Sequence, residues 1–188
     1  HRPQIRLSAL HVRMTNIAYE SDTSYLKDFC ANLGVPLIIK ETAFDPSTDK
    51  RKSPCFLCSW NRRKTLFTVA QDLGCNKIAL GHHQDDIIHT TLLNLSFQGQ
   101  FSSMPALLEM RKFPITIIRP LCLVHECDLT AWSAVRAYQK QKKSCPYESD
   151  SHRTDMKNVF ETIERMNPEA RHSFWNALEQ ENKLIERP

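Results

Sequence analysis

Glycine is scarce in this sequence, with four among 188 residues, and none of the four belongs to a Gly-rich phosphate loop. The chain as written therefore carries no backbone cradle of the kind that grips a nucleotide's phosphates. No apolar run approaches the roughly 20 residues needed to span a bilayer, and no secretory signal opens the sequence. Internal repeats and low-complexity segments are missing too. A second Cys-x-x-Cys pair, which a structural zinc site usually needs, is also lacking. The chain begins His1-Arg2-Pro3 with an expected strand close behind, so it reads as a piece whose natural start lies upstream.

What is present is the composition of a globular protein. The hydrophobic fraction of 41% and charged fraction of 24% suffice for one domain with a real core, or one domain and a small appendage. Net charge is +4, and its distribution says more than its sum. Lys50, Arg51, Lys52, Arg62, Arg63 and Lys64 flank a thiol pair, and Lys140, Lys142 and Lys143 precede Cys145. Such patches can neutralise phosphates or simply form solvated helix faces. Seven cysteines is an odd number without a secreted framework, which points to a reducing cytoplasm and to thiols used as ligands or buried as small apolar groups.

The order of elements predicts an α/β fold. Ile5 to Val12 alternates as a strand, and Ser21 or Asp22 caps a helix carrying Tyr25, Leu26, Phe29 and Leu33, closed by Gly34. Val35 to Ile39 is the next strand, completing a β-α-β unit whose default is parallel pairing. Ser53 then caps, and Pro54 opens, a helix with Leu66, Val69, Ala70 and Leu73 on one face. Lys77 to Leu80 predicts a short strand buried on both faces, followed by a helix from about Asp85 to Gly99. The stretch 98–109 reads as irregular, and 115–118 as a β-branched strand. A helix over 126–141 is expected to bury Leu129, Trp132, Val135, Ala137 and Tyr138. Two more helices are expected over 154–166 and 169–186, the second amphipathic through Phe174, Leu178 and Leu184. The whole predicts a parallel sheet with flanking helices and a helical tail.

Chemistry concentrates in two places. Cys55 and Cys58, three apart at a helix start, can face one metal or cluster, and the helix N-terminus favours thiolates. Such a pair fits half a zinc site, a redox dithiol or part of an iron–sulfur ligand set. Cys145, polar-flanked and outside any apolar pattern, is the candidate third thiolate, and three thiolates on a cubane would leave one iron open. Cys30, Cys75, Cys122 and Cys127 lie in or beside core elements and read as structural. At the carboxyl end of the strand over 77–80 comes Gly81-His82-His83-Gln84-Asp85-Asp86, where open α/β sheets bind ligands. The adjacent carboxylates fit Mg²⁺ binding or helix capping. Arg62, one helical turn after Cys58, fits a phosphate contact or a surface arginine.

Taken together, Cys55-Phe-Leu-Cys58, Arg62-Arg63, Ile78-Ala-Leu-Gly-His-His-Gln-Asp-Asp86, Met104-Pro105, Ile118-Arg119-Pro120-Leu121 and Cys145 resemble the tRNA 2-thiocytidine synthetases (TtcA type) of the PP-loop ATPase superfamily. The resemblance runs from about Arg6 to about Tyr147. It implies an adenine nucleotide α-hydrolase-like, Rossmann-like domain over 1–147 lacking its first strand and phosphate loop, with a helical extension over 148–188. It implies ATP-dependent adenylation of a cytidine in the tRNA anticodon loop, then replacement of its C2 oxygen by sulfur. A [4Fe–4S] cluster would be held by Cys55, Cys58 and Cys145. His11 and Val12 would lie where the adenine is held, and Gly81 and His82 near ATP. Asp85 and Asp86 would be Mg²⁺-binding or catalytic carboxylates, with Arg62 a phosphate or substrate contact. Expected partners are tRNA, a sulfur donor such as a cysteine desulfurase, and a second copy in a homodimer, with no membrane. The Ser-Gly-Gly-x-Asp-Ser loop of the family is absent from this chain, so these residues alone are expected to bind ATP poorly. Other readings stay open: a lysidine or 2-thiouridine PP-loop enzyme, an inactive homologue, or a non-catalytic metal-bearing RNA-binding module.

Overall fold

The computed structural model describes residues 5–16, 23–45, 47, 53–139 and 152–187. The chain divides into two compact units, His1–Val69 with Tyr138–Ser149, and Ala70–Ala137 with Asp150–Pro188. The expected caps Ser21 and Asp22 lie outside the described residues.

In the first unit, β1 (Ala9–Met14), α1 (Thr23–Asn32) and β2 (Leu37–Thr42) form the predicted β-α-β arrangement. The strands pair in parallel, from Ala9 opposite Leu37 to Met14 opposite Thr42. Both strands start later than the alternation suggests, and Pro36 accounts for it. Its carbonyl accepts the Ala9 N–H at 2.8 Å, but proline has no N–H with which to carry the ladder back toward Leu7. Ile5 and Leu7 are accordingly exposed. Val35 instead donates its N–H to Cys30 at 2.9 Å, closing α1 behind Gly34, whose φ of 65° is the left-handed stop.

Helix α2 (Pro54–Asp72) starts where Ser53 and Pro54 predict. The Ser53 hydroxyl accepts the Phe56 N–H at 3.2 Å, one of the donors a helix start leaves unpaired. Leu57 and Cys58 pack on buried Met14 and Phe44. The division between units falls inside α2, between Val69 and Ala70. Both of those residues are buried, whereas Leu73 is exposed.

The second unit holds β3 (Lys77–Ala79), α3 (Gln84–Gln98), β4 (Leu107–Glu109), β5 (Thr116–Ile118), α4 (Glu126–Val135), α5 (Arg153–Met166), α6 (Ala170–Gln180) and β6 (Ile185–Glu186). Its sheet runs β3-β5-β4-β6. β3 is parallel to β5, and β4 is antiparallel to β5 and parallel to β6. Among the described strands β3 pairs only with β5, and Lys77 and Ala79 are exposed, so it is not the doubly buried strand expected. β4 falls in the stretch read as irregular, because three residues show no usable alternation. The final helix also ends earlier than its pattern. Asn182 takes a left-handed φ of 53°, Lys183 donates to the Leu178 carbonyl at 2.8 Å, and the chain turns back as β6. Asparagine tolerates that conformation better than other non-glycine residues, so it stops the helix without a glycine signal.

α3 is buried on two sides. Ile87 packs with Trp175, Leu178 and Leu184, and with Phe101, Met104 and Cys122 at the margin. Ile88 and Leu92 pack with Met156 and Phe160. Between these clusters Thr91 is fully buried and returns its hydroxyl to the Ile87 carbonyl at 2.9 Å. α4 departs from expectation: it stops at Val135, and Trp132, Val135 and Tyr138 are exposed. An arginine at Arg136 stacks over Trp132 at 5.7 Å instead.

A buried ionic knot ties α3 to α4 and α6. Asp85, 7% exposed, accepts the Glu126 N–H through Oδ2 at 2.8 Å and meets Arg171 through Oδ1 at 2.9 Å. Arg171 also reaches Glu164 at 2.9 Å and Gln84 at 3.4 Å, with its guanidinium 5.2 Å from the Phe160 ring. Burial pushes the Asp85 carboxyl up, but the Glu126 amide and the Arg171 guanidinium more than offset it, and the net direction is downward.

These contacts set two expectations for denaturant unfolding. Leu178→Ala costs about 3 kcal/mol, because the side chain is fully buried, while Val135→Ala changes stability by less than about 0.5 kcal/mol. Asp85→Ala costs about 3 kcal/mol, because it leaves the Glu126 N–H without its acceptor and removes one of the two carboxylates that hold Arg171. Because the folded pKa of Asp85 is depressed, its contribution is present above the unfolded carboxylate pKa and fades as pH falls through the folded one. The acid limb of the stability profile is therefore shallower in Asp85→Asn than in the parent, and equal limbs would contradict the assignment.

Candidate functional site

The thiol pair belongs to the first unit. Cys55 occupies the second position of α2 and is exposed, while Cys58, one turn on, is half-buried. Residues three apart on a helix share a side, so the two sulfurs stand on the same side of α2. Arg62 follows one further turn along, and its charge reaches His11 on β1. Burial lowers the His11 pKa, and the neighbouring Arg62 and Arg13 lower it further, so the neutral imidazole is favoured. Val12 beside it is buried. Arg13 is held by an ion pair with Glu41 across the β1–β2 ladder. Trp60 and Lys64 make a cation–π contact at 5.3 Å farther along α2.

Gly81, His82, Asp85 and Asp86 belong to the second unit. β3 ends at Ala79, Leu80 donates to the Ile118 carbonyl at 2.9 Å, and Gly81-His82 carries the chain beyond the sheet to the N-terminus of α3. His83 caps that helix, and its N–H donates to Asp86 Oδ2 at 3.1 Å. The His83 ring lies 3.3 Å from Asp86 Oδ2 and 3.6 Å from Asp85 Oδ2. The adjacent carboxylates thus sit in different surroundings. Both oxygens of Asp85 are taken by protein groups, whereas Asp86, with a side chain 30% exposed, keeps access to solvent.

Two functional candidates receive no role from the sequence, where Arg119 appears only as part of the Ile118-Arg119-Pro120-Leu121 motif. Arg119, at the carboxyl end of β5, is 7% exposed. It donates from Nε to His82 Nδ1 at 3.3 Å and from Nη1 to the Pro105 carbonyl. Burial lowers its pKa, and no carboxylate among the described residues pairs with it. An arginine closing an otherwise β-branched run was the available clue. Arg171, the partner of Asp85, comes from the C-terminal helices and gives no local clue at all. One reading of a cysteine is corrected: Cys127 is exposed rather than in the core, because α4 buries no face. Its sulfur groups with His125 and Asp128, with one donor atom of each within 4.8 Å of the others.

The structure therefore gathers Cys55, Cys58, Arg62, His11 and Val12 in one unit and Gly81, His82, Asp85 and Asp86 in the other. Cys145 lies outside the described residues.

Comparisons with known proteins bear on the family and the fold. The chain is 38% identical over 144 residues to a protein of Citrifermentans bemidjiense named tRNA-cytidine(32) 2-sulfurtransferase, covering 74% of this chain and 56% of that protein. A protein of the same name from Aeromonas salmonicida is 42% identical over 117 residues, covering 60% of this chain and 39% of its own length. The chain thus spans about half the length, or less, of these curated relatives. Among solved structures, the U34-tRNA thiolase NcsA from Methanococcus maripaludis with its [4Fe–4S] cluster superposes with a TM-score of 0.73. That match is at 22% identity and covers 95% of this chain and 64% of that one, and it shows a shared α/β fold. The PP-loop domain pattern matches residues 2–159, and on that match the chain belongs to the PP-loop ATP-binding family.

Proposed function

We propose that this chain is part of an ATP-dependent tRNA thiolating enzyme that replaces the C2 oxygen of an anticodon-loop cytidine with sulfur. The observation that carries the reading is the thiol pair at the start of α2, Cys55 exposed and Cys58 half-buried, with an arginine one turn on. The family match and the relatives' shared name support it.

The chemical problem is a poor leaving group. The C2 oxygen of cytidine leaves as water only with great difficulty, so it is first joined to the α-phosphorus of ATP, with pyrophosphate departing. Sulfur then attacks C2 and AMP departs carrying the oxygen. In this reading His82, on the strand-end segment behind Gly81, contacts the nucleotide. Asp86, the solvent-accessible carboxylate, is the one able to share a Mg²⁺ with phosphates, and Asp85 fixes the helix that presents it. His11 and Val12 line the adenine's position on β1, and Arg62 contacts phosphate or RNA. Arg63 and Lys64 add charge for the tRNA backbone. Residues 1–147 carry this chemistry and 148–188 serve as a helical extension.

The donor set of Cys55 and Cys58 fits a [4Fe–4S] cluster: two thiols on one helix side, one exposed and one half-buried. Cys145 is the proposed third ligand. A cluster held there supplies an iron site at which sulfur can be carried. The sulfur itself comes from a donor such as a cysteine desulfurase, and the working enzyme is a cytoplasmic homodimer.

Two measurements test this reading on the protein as its gene encodes it. Transfer RNA from a strain deleted for the gene lacks 2-thiocytidine by mass spectrometry, and the parent gene restores it. Thiouridine or lysidine lost in its place would overturn the cytidine assignment. Anaerobically purified Cys55→Ser and Cys58→Ser proteins lose iron, sulfide and thiolation together. Cys55→Ser, at an exposed position, changes stability by less than about 0.5 kcal/mol. Full activity in either variant would remove the thiol pair from the mechanism.

A further inference from the structure

We propose that Arg119 is a positioning residue that holds His82 in its Nε2–H tautomer, so that His82 acts as a neutral hydrogen-bond donor to an anionic oxygen of the bound nucleotide. The inference rests on the nucleotide-binding part of the reading above.

A neutral imidazole has one nitrogen that donates and one that accepts, and its partners decide which is which. At Nδ1 of His82 the partner is Arg119. Arg119 is a guanidinium, which has only N–H donors and keeps its charge throughout the working pH range. Its Nε donates to His82 Nδ1 at 3.3 Å, so Nδ1 carries the lone pair and the hydrogen sits on Nε2. The arginine is itself fixed from a second side, because Nη1 donates to the Pro105 carbonyl. Both residues stand at the same end of the sheet. His82 follows β3 by a short segment, Arg119 follows β5 directly, and those strands are parallel, with Ala79 opposite Ile118. The carboxyl ends of parallel strands are where α/β sheets receive ligands.

The electrostatics favour an anion there. Arg119 is 7% exposed and pairs with no carboxylate among the described residues. A charge so far out of water, without an opposite charge, is stabilised when a negative group arrives nearby. The carboxylates that could have served are committed elsewhere: Asp85 to Arg171 and the Glu126 amide, and Asp86 to the His83 N–H. The site therefore offers one fixed positive charge and one neutral donor, which suits phosphate oxygens of a nucleotide.

The test uses the protein as its gene encodes it, labelled with ¹⁵N on histidine, with the His82 ring assigned by its disappearance in His82→Phe. In the parent protein, Nδ1 gives the signal of an unprotonated nitrogen and Nε2 that of a protonated one. In Arg119→Met, His82 no longer shows a single tautomer. By titration calorimetry, ATP affinity falls about tenfold or more in His82→Phe, as expected for losing one hydrogen bond to a charged group. It falls by a similar factor in Arg119→Met, and the double variant binds no more weakly than the weaker single one, since both changes remove one unit. A His82 ring protonated at Nδ1 in the parent overturns the assignment, and this readout stands even if Arg119→Met does not fold. A tautomer unchanged in Arg119→Met, or affinity losses that multiply, also overturns it. A correct tautomer and the expected ATP losses in a protein that thiolates no cytidine would sink the proposed reaction and leave this assignment in place.

Discussion

A carboxylate taken almost out of water stays ionised only if protein groups replace its lost solvent, and in this protein Asp85 depends on groups from two other helices. It starts α3, accepts the first amide of α4 and holds the arginine of α6. The same arginine reaches Glu164 on α5. The apolar clusters on either side of α3 supply most of the burial, but apolar contact is indifferent to small slides of one helix past another. The ionic knot is directional, and it sets where α3 begins. Since His82 and His83 lie on the segment entering that helix, the place of the candidate nucleotide contacts follows from the knot.

Neighbouring residues of one kind are thereby given different work. Asp85 and Asp86 differ by a single position, yet one has both oxygens consumed by the fold while the other caps a helix with a face left to solvent. His82 and His83 divide in the same way. His83 leans on the carboxylates at the helix start, and His82 accepts from a guanidinium on the next strand. Such separation arises because a strand end and a helix start meet within a few residues, and alternate side chains there point into unlike surroundings.

Much of this was readable before any coordinates. The β-α-β unit, the serine–proline entry into α2, the strand over Lys77 and the apolar rows of α3 follow from periodicity and capping chemistry that act within a few residues. The thiol pair and the His-His-Gln-Asp-Asp run were visible as motifs. What escaped depends on distant partners. β4 and β6 are short strands stabilised by each other and by β5, and the stop at Asn182 has no glycine to announce it. The burial of Arg119 and the pairing of Arg171 with Asp85 join residues far apart in the chain. The exposed face of α4 defied an apolar pattern because nothing described packs over Trp132 or Val135.

Cys127 has a practical consequence for measurements of thiols and metal in this protein. It stands open to solvent in the first turn of α4, beside an imidazole and a carboxylate, and it belongs to neither proposed centre. An alkylating reagent added to count ligand sulfurs would reach it as readily as Cys55, so titres read without a Cys127→Ser control would overstate the number of thiols freed when iron is stripped. Metal affinity resins and cobalt substitution would carry the same ambiguity, since adventitious capture at this turn would masquerade as partial loading of the proposed centre.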